Sequence, residues 1–224
     1  VLHVLVLGRQ SEDSTAVFAS DALVTRLVED EVLTETQGAQ ALLKLMEWRY
    51  RFVRPSVRML MSFAHEYSSH PPGKPLHQIA EYMHDCMRDP GLFGGPENTE
   101  LGESMAQRLY VSWLRLVGSF ILELWMDEKF SDEKAQRLTQ WCVREMPPSL
   151  PRSIVGDGRI RVSSMTPRVL ISHVLLEGNT QDQEGDNTSK ALSAIQEALR
   201  LENEDYLKIV TETLNDVHRV IRHQ

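Results

Sequence analysis

Apolar positions recur along most of the chain with helical period. Val57, Leu60, Met61 and Ala64 fall at i, i+3, i+4 and i+7, one face of a helix that Pro55 opens from a first-turn position. "SSHPPGKP" ends it, and Pro75 starts another, with Leu76, Ile79, Ala80, Met83 and Met87 as its apolar stripe. The glycines and prolines of "DPGLFGGPENTE" stop that helix. A long helix is predicted over 100–127, with Met105, Leu109, Trp113, Leu116, Val117, Phe120, Leu124 and Trp125 as the main stripe and the core of the domain. "SDEKAQRLTQWCVREM" predicts a further helix with Leu138, Trp141 and Cys142 inward. Leu207, Val210, Leu214, Val217 and Ile221 form a seam in a C-terminal helical tail.

The first fifty residues read differently. "VLHVLVLG" suits a buried strand, a short helix having the same periodicity, and β-branched "TAVFAS" suits a second strand. Ser20 is placed to cap a helix from Asp21 to about Leu33. Thr34 and Gln37 in "TETQ" have the spacing of a capping box, opening a helix through "GAQALLKLMEWRYRF". Asp157-Gly158 between "SIVG" and "RIRV" has hairpin-turn chemistry, and "NTQDQEGDNTS" reads as a polar linker. The fold class expected is mainly α, with a short N-terminal α/β portion followed by a helical extension. The divisions are 1–55 for the α/β unit, 56–178 for the extension, 179–189 for the linker and 190–224 for the tail.

Composition narrows the partners. At 224 residues, 42% hydrophobic and 25% charged, the chain is long enough for a sizeable core. Its net charge of -8 argues against a broad basic surface for duplex nucleic acid. The local exception is "EWRYRFVRP", where Trp48, Tyr50 and Phe52 interleave with Arg49, Arg51 and Arg54 in a pattern suited to stacking and pairing with single-stranded RNA, or to alternating core and solvent contacts at a helix end. Cys86 and Cys142, with no CxxC, fit a reducing compartment, so a cytoplasmic location is expected. The apolar run 109–126 is interrupted by Arg115 and Glu123, each costly at a bilayer centre, so a core helix and no membrane partner are expected. The run at Val1 lacks a basic n-region and a cleavage site, so it is not read as a signal peptide; without an initiator Met, the chain reads as a piece of a longer protein.

"FAHEYSSHPPGKPLHQIAEYMHDC", residues 63–86, concentrates histidines and acids. A zinc-protease helix needs His at i and i+4. His65 and His70 are five apart, which turns the second ring roughly 140° away from the first. His77, Glu81 and His84 do share a face, and Glu81 with His84 forms an ExxH. Di-iron carboxylate bundles use that motif twice, and here it occurs once. Capping, hydrogen bonding or lining a helix interface is the expected role of these histidines, and Cys86, bordered by Met83 and Met87, is expected to be a small buried hydrophobe.

The order of strand, cap, acid and helix in "TAVFASDALVTRLVEDEVLTETQGAQALLKLM" resembles the later part of a PIN domain, in particular the PIN-like domains of bacterial conflict-system proteins that carry TPR and GreA/GreB-C-like modules. "LLKLMEWRYRFVRPS" and "YMHDCMRDPGLFGG" add to the resemblance, which is most specific over 15–55 and looser to about 150. It implies a metal-dependent endoribonuclease with Mg²⁺ or Mn²⁺ held by converging carboxylates, and it carries over one residue, Asp21, as both metal ligand and catalytic residue. Two-metal hydrolysis needs several such carboxylates. The resemblance places the leading acid upstream of Val1, so the chain by itself is expected to be inactive. Glu12 and Asp13 are nearby acids in a loop, and the same strand-acid-helix order also occurs where an acid simply complements a helix dipole. The competing expectation is a helical protein-interaction module with no chemistry, joined to other modules of a larger protein.

Overall fold

The computed structural model describes residues 5–7, 16–18, 20–50, 53–66, 73–88, 99–148, 162–182 and 185–222. The chain is mainly helical, with nine helices among the described residues. Two short strands, β1 (Leu5–Leu7) and β2 (Ala16–Phe18), pair antiparallel with Val6 opposite Val17. The Asp157-Gly158 turn, His70 and Arg51 lie outside the described residues.

Helix α1 (Ser20–Glu29) stops short of Leu33, and the chain turns through Glu31, whose φ is 57°. Helix α2 (Glu35–Glu47) opens on the expected capping box: Thr34 Oγ1 accepts from the Gln37 N–H at 3.2 Å, and Gln37 Oε1 accepts from the Thr34 N–H at 2.9 Å. Helix α3 (Val57–Glu66) begins after Ser56, whose hydroxyl accepts from the Met59 N–H at 3.2 Å. Pro55 therefore precedes the cap instead of occupying the first turn. Helix α4 (Lys74–Arg88) buries Leu76, Ile79, Ala80, Met83 and Met87, and Cys86 beside them.

Four helices form an up-down-up-down bundle: α5 (Thr99–Met126), α6 (Asp132–Glu145), α7 (Val162–Gln181) and α8 (Asp186–Leu199). Tyr110 meets Thr166 and Ser119 meets His173, so residue numbers rise together and α5 runs parallel to α7. Lys190 reaches Asp132 and Gln136 reaches Glu197, so α6 and α8 are parallel as well. Helix α5 touches α3, α4, α6, α7 and α8. That accounts for a difference from the one-sided stripe expected: Tyr110, Leu114, Ile121 and Leu122 are buried too, because a central helix packs against neighbours on more than one side. By length and composition α5 is also the one helix among the described residues apolar enough to cross a membrane, and half of that apolar window is buried within the fold.

The stretch 179–189 is largely helical, which differs from the expected linker. Helix α7 continues to Gln181 and α8 starts at Asp186. Gly185, the N-cap of α8, has φ 74° and no side chain to cap with; Asp182 supplies the missing acceptor. Its Oδ2 accepts from the Thr188 N–H at 2.7 Å and the Thr188 hydroxyl at 2.9 Å. Thr188 in turn fits only because residue 178 is glycine, where an added Cβ would lie 2.4 Å from Thr188 Oγ1. Helix α9 (Asn203–Arg222) packs on α7. Among its described side chains Ile209 and Thr213 are buried and Val210 and Val217 half-buried, whereas Leu207 and Leu214 of the expected seam are 59% and 43% exposed; the side chain of Ile221 lies outside those described. Thr213 can be buried because its hydroxyl donates to the Ile209 carbonyl at 2.8 Å and meets Ser172 Oγ at 2.8 Å. One hydrophobic core runs from α2 to α9.

Candidate functional site

Asp21 sits in the first turn of α1, half-buried, facing the segment that joins α2 to α3. Its Oδ1 accepts from the Ala22 N–H at 2.9 Å and its Oδ2 from the Arg54 N–H at 3.4 Å. Tyr82 of α4 fastens the same segment, since its hydroxyl accepts from the Val53 N–H and donates to the Tyr50 carbonyl, both at 3.1 Å. Burial, then the Cys86 thiol and the Asp21 carboxylate, push this phenol far above its ordinary range. Of the residues singled out in the sequence, Asp21 and Arg54 are thus brought together, through the backbone of Arg54. Arg49 is exposed and left-handed, with φ 56°, at the end of α2.

The surface around Arg49 is of mixed charge. Trp48 is 62% exposed, with Lys44 Nζ 5.9 Å from its ring centroid. Lys44 is held by Glu47 at 2.7 Å, and Glu47 also accepts from Gln78 at 2.9 Å. These bonds, that to Lys44 foremost, keep the Glu47 carboxyl below its usual range. At the opposite end of α2, Arg58 lies 4.0 Å from Glu35. Lys44, the cation beside Trp48, is thus paired with a carboxylate, which weakens any phosphate-binding field.

The histidines of α3 and α4 are engaged in packing and hydrogen bonds. His65 Nε2 meets Asp127 Oδ2 at 2.6 Å and its ring stacks on Phe130 with centroids 5.0 Å apart. His77 Nδ1 lies 3.3 Å from the Gly73 carbonyl, and its ring is 5.0 Å from that of Trp141. His84 Nε2 is 3.0 Å from the Glu145 carbonyl at the end of α6, while Glu81 is exposed. Among the described residues, no group of three His, Cys, Asp or Glu side chains converges as a metal site.

A cluster the sequence reading passed over lies between α5 and α7. Ser119 Oγ donates to Glu177 Oε2 at 2.6 Å and lies 2.8 Å from His173 Nε2, which is also 2.8 Å from Glu177 Oε2. Its one legible signal is His173 and Glu177 at i and i+4 within the apolar "VLISHVLLEG". Ser, His and Glu together suggest a nucleophile relay, but a relay needs the hydroxyl on one ring nitrogen and the carboxylate on the other. Both partners here share Nε2, and the hydroxyl proton goes to the carboxylate, so the arrangement fastens two helices and does not activate Ser119.

No family model, curated protein or solved structure matches the chain.

Proposed function

We propose that this chain is a non-enzymatic helical interaction module of a larger protein, and that α9 receives an amphipathic helix from one of that protein's other modules. The observation carrying this reading is the pair Leu207 and Leu214, one heptad apart on α9, both largely open to solvent while Ile209 and Thr213 face α7. Single exposed leucines are ordinary, but two on one helical stripe form the kind of anchor pair that helix-in-groove recognition uses. The test is sedimentation velocity of the chain mixed with the separately expressed remainder of its full-length protein, for wild type and for the double variant Leu207→Glu/Leu214→Glu. A complex formed by the wild type and lost in the variant supports the reading. No complex, or one indifferent to both substitutions, refutes it.

Asp21 favours a second reading, in which the chain belongs to a PIN-like, Mg²⁺- or Mn²⁺-dependent ribonuclease of a bacterial conflict system, acting on RNA in the cytoplasm. Support comes from an acid in the first turn of α1 whose Oδ2 makes only a long bond to the Arg54 N–H. The N-terminal α/β character belongs to this reading too. A rise in melting temperature on adding Mn²⁺, abolished by Asp21→Ala, favours it over the interaction module, since a ligand that binds only the folded state stabilises it. Identical melts with and without Mn²⁺ count against it.

A further inference from the structure

Helix α9 is held to the rest of the chain more lightly than its neighbour α8. Among its described side chains, only Ile209 and Thr213 are buried over 20 residues, whereas the 14 residues of α8 bury Thr188, Ala191, Leu192, Ala194, Ile195 and Ala198. Helix α8 packs on α5, α6 and α7, while α9 packs chiefly on α7. The polar ties across that interface are weak. Arg168 Nη2 meets Glu212 Oε2 at 2.8 Å, but the two side chains are 53% and 42% exposed, so water and salt screen the pair. The Thr213 hydroxyl donates its hydrogen to the Ile209 carbonyl within α9, so Ser172 must be the donor in their 2.8 Å contact. Parting α9 from α7 there breaks one hydroxyl bond and leaves Thr213 donating as before.

The joint between α8 and α9 is closed on the α8 side. Arg200, left-handed with φ 52°, donates its N–H to the Glu197 carbonyl at 3.0 Å, and the Leu201 N–H donates to the Gln196 carbonyl at 3.1 Å. These carbonyls in the last turn of α8 are satisfied by the joint itself, without α9. An exposed side-chain bond, Gln196 Nε2 to Asn203 Oδ1 at 2.8 Å, also spans it. We propose that α9 is a strap that opens as one unit about Arg200 and Leu201, leaving α2 to α8 folded behind it. The stripe of Leu207 and Leu214 then rides on a detachable element. The body keeps its core, since Ile209 is the one α9 side chain among the described residues in the buried apolar cluster. A helix of this length is marginal by itself in water, so an undocked α9 loses its backbone hydrogen bonds and its amides report the opening.

The experiment is native-state hydrogen exchange of the whole chain at several low urea concentrations, for the wild type and for Val143→Ala, a buried position on α6. In the wild type the α9 amides are expected to exchange together, on the order of 100-fold or more faster than those of α5, and with a weaker urea dependence. Val143→Ala should speed α5 exchange about tenfold or more and leave α9 unchanged, because an opening confined to α9 does not disturb α6. Exchange of α9 at the rate of α5, or its acceleration by Val143→Ala in step with α5, overturns the proposal. Should Val143→Ala fail to fold, the wild type decides by itself: equal urea dependence for α9 and α5 means one global unfolding and overturns the proposal equally.

Discussion

Removing the Asp182 side chain tests the turn between α7 and α8. Its Oδ2 accepts two hydrogen bonds from Thr188, to the amide at 2.7 Å and the hydroxyl at 2.9 Å, and Gly185 offers no side chain to replace it. Loss of a side-chain cap costs about 1 kcal/mol and up to ~2 kcal/mol. Thr188 is only 7% exposed, so its hydroxyl loses a partner that water replaces poorly, which adds about 1 kcal/mol. Asp182 is itself partly solvated, which limits the total; Asp182→Ala is expected to destabilise by ~2 kcal/mol in urea unfolding at neutral pH. The hydrogen bond to the Thr188 amide is the first cause holding the Asp182 carboxyl below its ordinary 3.8. A depressed carboxyl contributes stability above that value and loses it as the pH falls through the folded one, so the gap between wild type and variant should narrow below about pH 4. Asp182→Asn keeps an acceptor oxygen and should fall between the two. A penalty under about 0.5 kcal/mol for Asp182→Ala, the scatter of neutral surface changes, refutes the claim that this polar stretch is a capped turn.

Two further measurements test the orientation of α9 and the tie beneath Asp21. Ile209→Ala should cost about 2–4 kcal/mol by urea unfolding, as a buried large-to-small change does, whereas Leu207→Ala should stay within ~0.5 kcal/mol; equal effects mean that α9 is rotated. Tyr82→Phe removes the acceptor of the Val53 N–H and the donor to the Tyr50 carbonyl, an expected loss of about 1–2 kcal/mol by the same assay. In the wild type, ultraviolet titration should leave Tyr82 protonated at about pH 11, above the midpoint of an exposed tyrosine.

What could be read in the sequence divides along a physical line. Contacts inside one helix were legible, because helical period is a local property. Thr34 with Gln37, the α4 stripe from Leu76 to Met87, and Leu138, Trp141 and Cys142 of α6 all lie where pattern places them. Contacts across helices were not. Ser119 is 54 residues from His173 and 58 from Glu177, and Tyr82 reaches Val53 and Tyr50 over 29 and 32. The α9 seam shows the same limit in reverse. Leu207, Val210 and Leu214 follow a good amphipathic pattern, yet Thr213 is buried and Leu207 is not, because Ser172 of α7 gives the threonine hydroxyl a partner. Periodicity records where apolar atoms lie on a helix, not which neighbour will satisfy a polar one.

That distinction separates Asp21 from the histidines as a candidate for chemistry. His77 and His84 each direct a ring nitrogen at a backbone carbonyl, and His65 directs one at Asp127, and among the described residues none of these rings converges with two further ligand side chains. The Asp21 Oδ2 contact with the Arg54 N–H, at 3.4 Å, is longer than a normal N–H to O bond, and an anionic carboxylate keeps further lone pairs after accepting one hydrogen. A cation would therefore displace little at Asp21. Asp21→Asn tests the point, because it removes the charge while its single oxygen still accepts from the Ala22 or the Arg54 amide. If Asp21 only ties α1 to the segment before α3, the variant's melting temperature differs from the wild type by the same amount with and without Mn²⁺. If Asp21 is a metal ligand, the wild type melts higher with Mn²⁺ and the variant loses that rise, a pattern that no purely structural role produces.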